Sequence, residues 1–196
     1  MHYFIVTMML SVASLSVLAA GNPEAGQATA VICTGCHGHD GNSDSPLNPK
    51  LAGQHESYLI KQLRDFKSGA RKEEHMTSMV EAISMDDIPN LAAWFASQTL
   101  KNKHAKSNRI GKKIFHRGID SKGIAACDGC HGENGRGNAA IGFPSLAGQH
   151  AEYVIKQLKD FRMGKRHNDS LMMQSIAKPL SDKEIVKLAE YISSMK

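Results

Sequence analysis

No cysteine in this chain stands apart. Of 196 residues four are cysteine, and all four lie in two pentapeptides, Cys33-Thr34-Gly35-Cys36-His37 and Cys127-Asp128-Gly129-Cys130-His131. Strand-like alternation is missing around either pair, which argues against a thioredoxin-type redox motif in a βαβ unit. A zinc site built from two C-x-x-C pairs keeps its halves roughly 15–20 residues apart, and these lie much further apart in the chain. Charge is missing from Tyr3 to Ala20. The basic residues are spread along the chain rather than bunched, so the patch expected of a nucleic-acid binder is absent.

What is present is more specific. C-x-x-C-H is the signature of c-type haem attachment: two thiols form thioethers with the haem vinyl groups, and the adjacent histidine is held beneath the iron. Cys33, Cys36, Cys127 and Cys130 are therefore candidates for covalent attachment, and His37 and His131 for proximal ligation, with two disulfides as the bland alternative. The uncharged Tyr3–Ala20 run ends in Val17-Leu18-Ala19-Ala20 and reads as a secretory signal peptide, with cleavage after Ala19 or Ala20. Its amino end lacks Lys and Arg, so an uncleaved anchor is the rival, the run being near the roughly 18-residue lower limit of a spanning helix. No cysteine follows directly to serve as a lipid attachment point. Export and covalent haem point together to the periplasm.

The chain repeats itself. Leu51-Ala52-Gly53-Gln54-His55 returns unchanged as Leu146-Ala147-Gly148-Gln149-His150, and Tyr58, Lys61-Gln62-Leu63, Asp65 and Phe66 return as Tyr153, Lys156-Gln157-Leu158, Asp160 and Phe161. Apolar residues at helical spacing (Leu59, Leu63, Phe66; Ile88, Leu91, Phe95; Ile185, Leu188, Ile192) predict amphipathic helices, over about 22–32, 56–67 and 84–98 in the first half and at matching places in the second. Ser84 with Asp87, and Ser181 with Glu184, resemble capping boxes. The expected organisation is all-α: signal peptide 1–19, first domain 20–100, basic linker 101–108 and second domain 109–196. Domains this small have limited cores, so haem is expected to supply much of each.

The repeat also sorts the sixth-ligand candidates. Met76 corresponds to Met173, whereas Met79 falls on Ile176, Met85 on Asp182 and Met172 on His75. Met76 and Met173 are thus the expected second axial ligands, against the plain alternative of core filling. His55 and His150 also match and are read as structural, reaching a propionate or a backbone carbonyl. Pro49 and Pro144 match as well, placed for their carbonyls to accept the proximal histidine Nδ1–H. Gly26 and Gly111 have two readings, close crossing of the first and last helices near Trp94 and Tyr191, or ordinary weak points. Charge divides unevenly: residues 20–100 carry 6 Lys and Arg against 10 Asp and Glu, residues 101–196 carry 18 against 9. A basic half favours the reduced form of its haem, so the second haem is expected to have the higher potential.

Taken together, the two C-x-x-C-H sites, the duplicated Leu-Ala-Gly-Gln-His with its Tyr and Lys-Gln-Leu, and Met76-Thr77-Ser78-Met79 resemble the dihaem cytochromes c4. The resemblance spans essentially the whole mature chain. It implies two tandem class I cytochrome c domains related by a pseudo-twofold axis, two covalent haem c groups with propionate edges near the domain interface, and iron ligands His37, Met76, His131 and Met173. It further implies a periplasmic one-electron carrier rather than an enzyme, soluble or loosely held at the membrane. Its expected partners are redox proteins, a donor and a haem-copper terminal oxidase, with no nucleic acid and no small-molecule substrate. The alternatives are a cytochrome subunit of a flavocytochrome-type dehydrogenase and, against the matched methionines, a dihaem peroxidase.

Overall fold

The computed structural model describes residues 21–102 and 106–196. The leader 1–19 and the centre of the linker, 103–105, lie outside them. The described residues form ten α-helices and short 3-10 turns, with two isolated β-bridges, Ile119 with Ile124 and Asn138 with Phe143.

In the first half, α1 (Pro23–Ala30) starts where the Asn22 side chain accepts from Ala25 N–H and where proline's missing donor costs nothing. A 3-10 turn leads into the four-residue α2 (Thr34–His37), which carries the first attachment motif. Helix α3 (Glu56–Ser68) buries Leu59 and Phe66 and stops at Gly69, in the left-handed conformation glycine tolerates. Helix α4 (Glu74–Glu81) follows, then α5 (Asp87–Ser97), which buries Ile88, Leu91 and Phe95. It begins later than the apolar spacing suggests because the Ser84 hydroxyl accepts from Asp87 N–H and so sits before the first turn.

The second half repeats the order: α6 (Arg109–Arg117), α7 (Asp128–His131), α8 (Ala151–Arg162), α9 (Met172–Ala177) and α10 (Asp182–Ser194). Helix α10 opens with a capping box between Ser181 and Glu184. Each half has its own core, one around Leu59, Phe66, Ile88, Leu91 and Phe95, the other around Phe115, Leu158, Phe161, Ile185 and Leu188.

The glycines decide how each half closes. A Cβ on Gly26 would lie 1.9 Å from Asn90 O, and one on Gly111 would lie 1.9 Å from Lys187 O and 2.8 Å from Tyr191 Cβ. Helix α1 therefore crosses α5, and α6 crosses α10, with main chains touching, which a bare backbone alone permits. Of the two readings of these glycines, the close crossing is the one observed.

The halves meet through a nearly symmetrical set of hydrogen bonds. Gln149 Oε1 accepts from Lys50 N–H and its Nε2 donates to Lys50 O, each at 2.9 Å. Gln54 treats Ser145 in the same way, accepting at 2.9 Å and donating at 2.9 Å. The neighbouring histidines reach further across: His55 Nε2 donates to Arg136 O at 2.8 Å and His150 Nε2 to Ser43 O at 2.9 Å. The repeated pentapeptide is thus an interdomain clasp. Residues 99–102 join it: Asn42 bonds Thr99 O and Lys101 N–H, Lys50 Nζ donates to Lys101 O, and Asn102 bonds Met195 O.

Candidate functional site

Both attachment turns open onto one continuous, mostly apolar cavity of about 880 Å³ that runs through the interface. Its walls include all four cysteines, His37 and His131, Met76 and Met173, and core residues of both halves. The volume and apolar lining lie in the usual range for sites that hold an organic group.

Each turn fixes its histidine. His37 Nδ1 donates to Pro49 O at 2.9 Å and His131 Nδ1 to Pro144 O at 3.0 Å. A carbonyl oxygen only accepts, so the proton is on Nδ1 and the lone pair on Nε2, the tautomer a metal ligand needs. Burial lowers the basicity of both imidazoles, against a smaller opposing contribution from the proline carbonyls, and so favours the neutral ring. Burial also pushes the Cys33 thiol up to about 11 and the Cys127 thiol up to about 12, with Cys36 adding to the first and Asp128 to the second.

The methionines sit in the first turns of short helices, held from outside. Met76 N–H donates to Glu73 at 3.1 Å, and Met173 N–H donates to Asp169 at 2.6 Å. The second half has two extra residues between Arg166 and Met173 relative to Arg71 and Met76. There Ser170 (φ 56°) and Leu171 (φ 65°) take the left-handed conformation, which is unfavourable for these side chains. The acidic anchors were not legible in the sequence, because they fall at different distances from their methionines and break the repeat.

A second missed feature lies where the halves face each other. Arg71 and Arg166, each 8 % exposed, occupy equivalent positions on the cavity wall. Arg71 donates to Gln62 at 2.8 Å, to Tyr153 at 3.2 Å and to Gln157 at 3.0 Å. Arg166 donates to Gln157 at 2.7 Å, to Tyr58 at 2.9 Å and to Gln62 at 3.0 Å. Each also lies over a phenylalanine ring, Phe66 or Phe161. Although burial pushes the Tyr58 phenol up, the charges of Arg166 and Arg71 bring it below its ordinary value. Among the described residues neither guanidinium is ion-paired with a carboxylate. Two buried cations whose hydrogen-bond partners are all neutral, with only the Asp169 charge near Arg166, suit a group that brings its own carboxylates to the cavity wall. With paired thiols at each end, neutral imidazoles and an apolar interior, the residues fit haem with its propionates. The signal was present in the sequence, since Arg71 and Arg166 match at the same offset as Phe66 and Phe161.

The fold and the site define a c-type cytochrome with two centres. A family profile described as Cytochrome c matches residues 23–99 and again 108–196. Cytochrome c4 of Pseudomonas aeruginosa is 45% identical over 200 residues, covering 100% of both chains. The crystal structure of reduced recombinant cytochrome c4 from Pseudomonas stutzeri superposes with a TM-score of 0.87 at 45% identity, covering 90% of this chain and 100% of that one. The thiosulfate dehydrogenase electron acceptor of Stutzerimonas stutzeri is 35% identical over 173 residues, covering 85% of this chain and 80% of that protein. The chain belongs to the cytochrome c family and, within it, to the dihaem cytochromes c4. It is an electron-transfer protein rather than an enzyme, and its C-x-x-C-H motifs mark two covalently bound haem c groups. No helix among the described residues is long and apolar enough to cross a membrane.

Proposed function

We propose that this protein is a periplasmic electron carrier of a respiratory chain, delivering electrons towards a haem-copper terminal oxidase. The observation that carries the reading is the paired arrangement on one cavity wall, a proline-held histidine and an acid-held methionine in each half. Haem supplies the one-electron couple. His37 and Met76 would hold its iron in the first half and His131 and Met173 in the second, with Pro49 and Pro144 fixing the imidazoles. A histidine and a thioether on each iron would leave no open site for a substrate and would raise the potential. Residues 1–19 act as a cleaved signal peptide, and 101–108 join domains 20–100 and 109–196; the profile matches at 23–99 and 108–196 support that division.

A second reading is favoured by one observation. The similarity to a thiosulfate dehydrogenase electron acceptor suggests that the donor is a dehydrogenase of sulfur compounds, close to the flavocytochrome-type subunit role. Near-infrared spectra of the ferric holoprotein and of Met76→Ala and Met173→Ala test the ligands. The sulfur-to-iron charge-transfer absorption should halve in each variant, and its absence from the unmodified protein would remove both methionines. Turnover with membranes, with and without thiosulfate dehydrogenase, separates the partners: oxidation by membranes supports the oxidase, and reduction only by the dehydrogenase with slow oxidation by membranes supports the second reading.

A further inference from the structure

Beside the second attachment turn lies an open, polar groove outside the haem cavity. One wall is α6, and the others are the Asp128-Gly129 segment, Glu133 and the chain end at Lys196. Arg109, Lys112, Lys113 and Arg117 line it, all exposed, spaced so that they share one face of the helix. Among the described residues none of these four is paired with a carboxylate.

The four charges do not serve the helix. Helix α6 has no acidic residue in its first turn, and Arg109 opens it. A cation at that end opposes the helix dipole, and like charges three or four positions apart repel, each costing a few tenths of a kcal/mol. The first half has no such pattern. With Gly26 and Gly111 superimposed, the positions of Arg109, Lys112, Lys113 and Arg117 hold Glu24, Gln27, Ala28 and Ile32. One attachment face thus presents four cations where its twin presents a single anion, a neutral amide and two apolar side chains.

Position gives the pattern a use. Gly129, between the attachment cysteines, is exposed and forms part of the groove wall, so a molecule seated there abuts the second attachment turn. Asp128 and Glu133 add negative charge on that same wall, and His116 Nδ1 holds the Asp128 carboxylate at 3.0 Å. A wall of mixed sign orients a protein whose surface charge is patterned to match it, whereas a uniformly anionic lipid sheet would set its charge against Asp128 and Glu133 as well as against the four cations. We propose that this groove is the docking surface for a redox protein presenting an acidic patch, and that electrons leave or enter the second haem there while the equivalent face of the first half is not used by that partner. The inference rests on the chain being an electron-transfer protein, whichever oxidase or dehydrogenase it serves. Each encounter passes one electron with no bond made or broken.

The test uses the full holoprotein and its Lys112→Glu/Lys113→Glu variant. Glutamates suit the amino-terminal half of a helix, so α6 should persist, and Lys112→Gln/Lys113→Gln provides a neutral intermediate. Stopped-flow oxidation of the reduced protein by hexacyanoferrate(III), which becomes hexacyanoferrate(II), should slow about tenfold at the second haem at low salt, and less than about twofold at the first. Oxidation by the cation tris(phenanthroline)cobalt(III) should accelerate at the second haem, and added salt should erase both effects. NMR titration with plastocyanin, an acidic redox protein, should move the amides of α6 and Gly129. Equal slowing of both haems, plastocyanin shifts centred on Glu24 to Ile32, or binding to phosphatidylglycerol vesicles without binding to plastocyanin would each overturn the proposal.

Discussion

Replacing Gln149 by alanine removes the more deeply buried arm of the interdomain clasp. The side chain makes two bonds to Lys50, both 2.9 Å and both buried, and its Oε1 also accepts from His150 N–H at 3.0 Å. A typical hydrogen bond contributes about 1 kcal/mol net, and leaving a buried backbone group without its partner costs about 1–3 kcal/mol. The truncation should therefore cost about 3 kcal/mol. Gln54→Ala removes the matching pair to Ser145 in a partly buried setting and should cost about 2 kcal/mol. At about 3 °C per kcal/mol for a chain of this size, the midpoints should fall by about 9 °C and 6 °C in differential scanning calorimetry of the holoprotein. Ser145→Ala is the control: the clasp uses only that residue's main chain, and the hydroxyl makes one long bond to Gly135 O at 3.5 Å, so its midpoint should move by no more than about 1 °C. Glutamine variants that melt within about 1 °C of the parent, or a Ser145→Ala loss as large as that of Gln54→Ala, would refute this account of the clasp.

Three further outcomes are expected. Gly111→Ala places a methyl 1.9 Å from Lys187 O, so α6 and α10 must separate; the helix-propensity gain of about 1 kcal/mol is outweighed, and urea unfolding should show a net loss of about 2 kcal/mol or more. Glu184 is held down to about 2, first by its bond to Lys122 and then by Ser181, against the opposing effect of burial. Its contribution is full above the ordinary glutamate value of about 4.3 and is lost as pH falls towards 2. Glu184→Gln should therefore be about 1 kcal/mol less stable at pH 7 and no less stable than the parent near pH 2, as thermal melts across that range will report. In a redox titration with the haems resolved, the second should have the higher potential because its half carries 18 Lys and Arg against 9 Asp and Glu, and the reverse order would show that local contacts dominate net charge.

Much of the site was legible because the chain is its own alignment. The repeat singled out the cysteines, the histidines, the prolines and one methionine pair, and the structure brings all of these to a single cavity. Helices with strong apolar periodicity, α3, α5, α8 and α10, were legible for the ordinary reason that burial imposes the period. What escaped was either short or nonlocal. Helices α4 and α9 hold 8 and 6 residues, too few turns to establish a period. The clasp joins residues 81 to 107 positions apart, and no local pattern reveals such a bond. The repeated pentapeptide was visible, but its histidines drew the attention that its glutamines equally warranted. Arg71 and Arg166 would ordinarily be read as solvated surface, and their partners in the opposite half, Tyr153 and Gln157 for one and Tyr58 and Gln62 for the other, are too distant in the chain to be seen locally.

The clasp is made by side chains that read main-chain atoms, and its receiving residues differ between halves: Lys50 against Ser145, Ser43 against Arg136. Such an interface is self-complementary in the way a twofold dimer is. Two copies of a single-domain ancestor carrying Leu-Ala-Gly-Gln-His would already have possessed both sides of it, needing no new contact to pair. Fusion into one chain then raised the effective concentration of each half for the other. Once joined, the halves could differ in charge, one acidic and one basic, because the clasp bonds, unlike those of Arg71 and Arg166, ignore the identity of the side chains they meet.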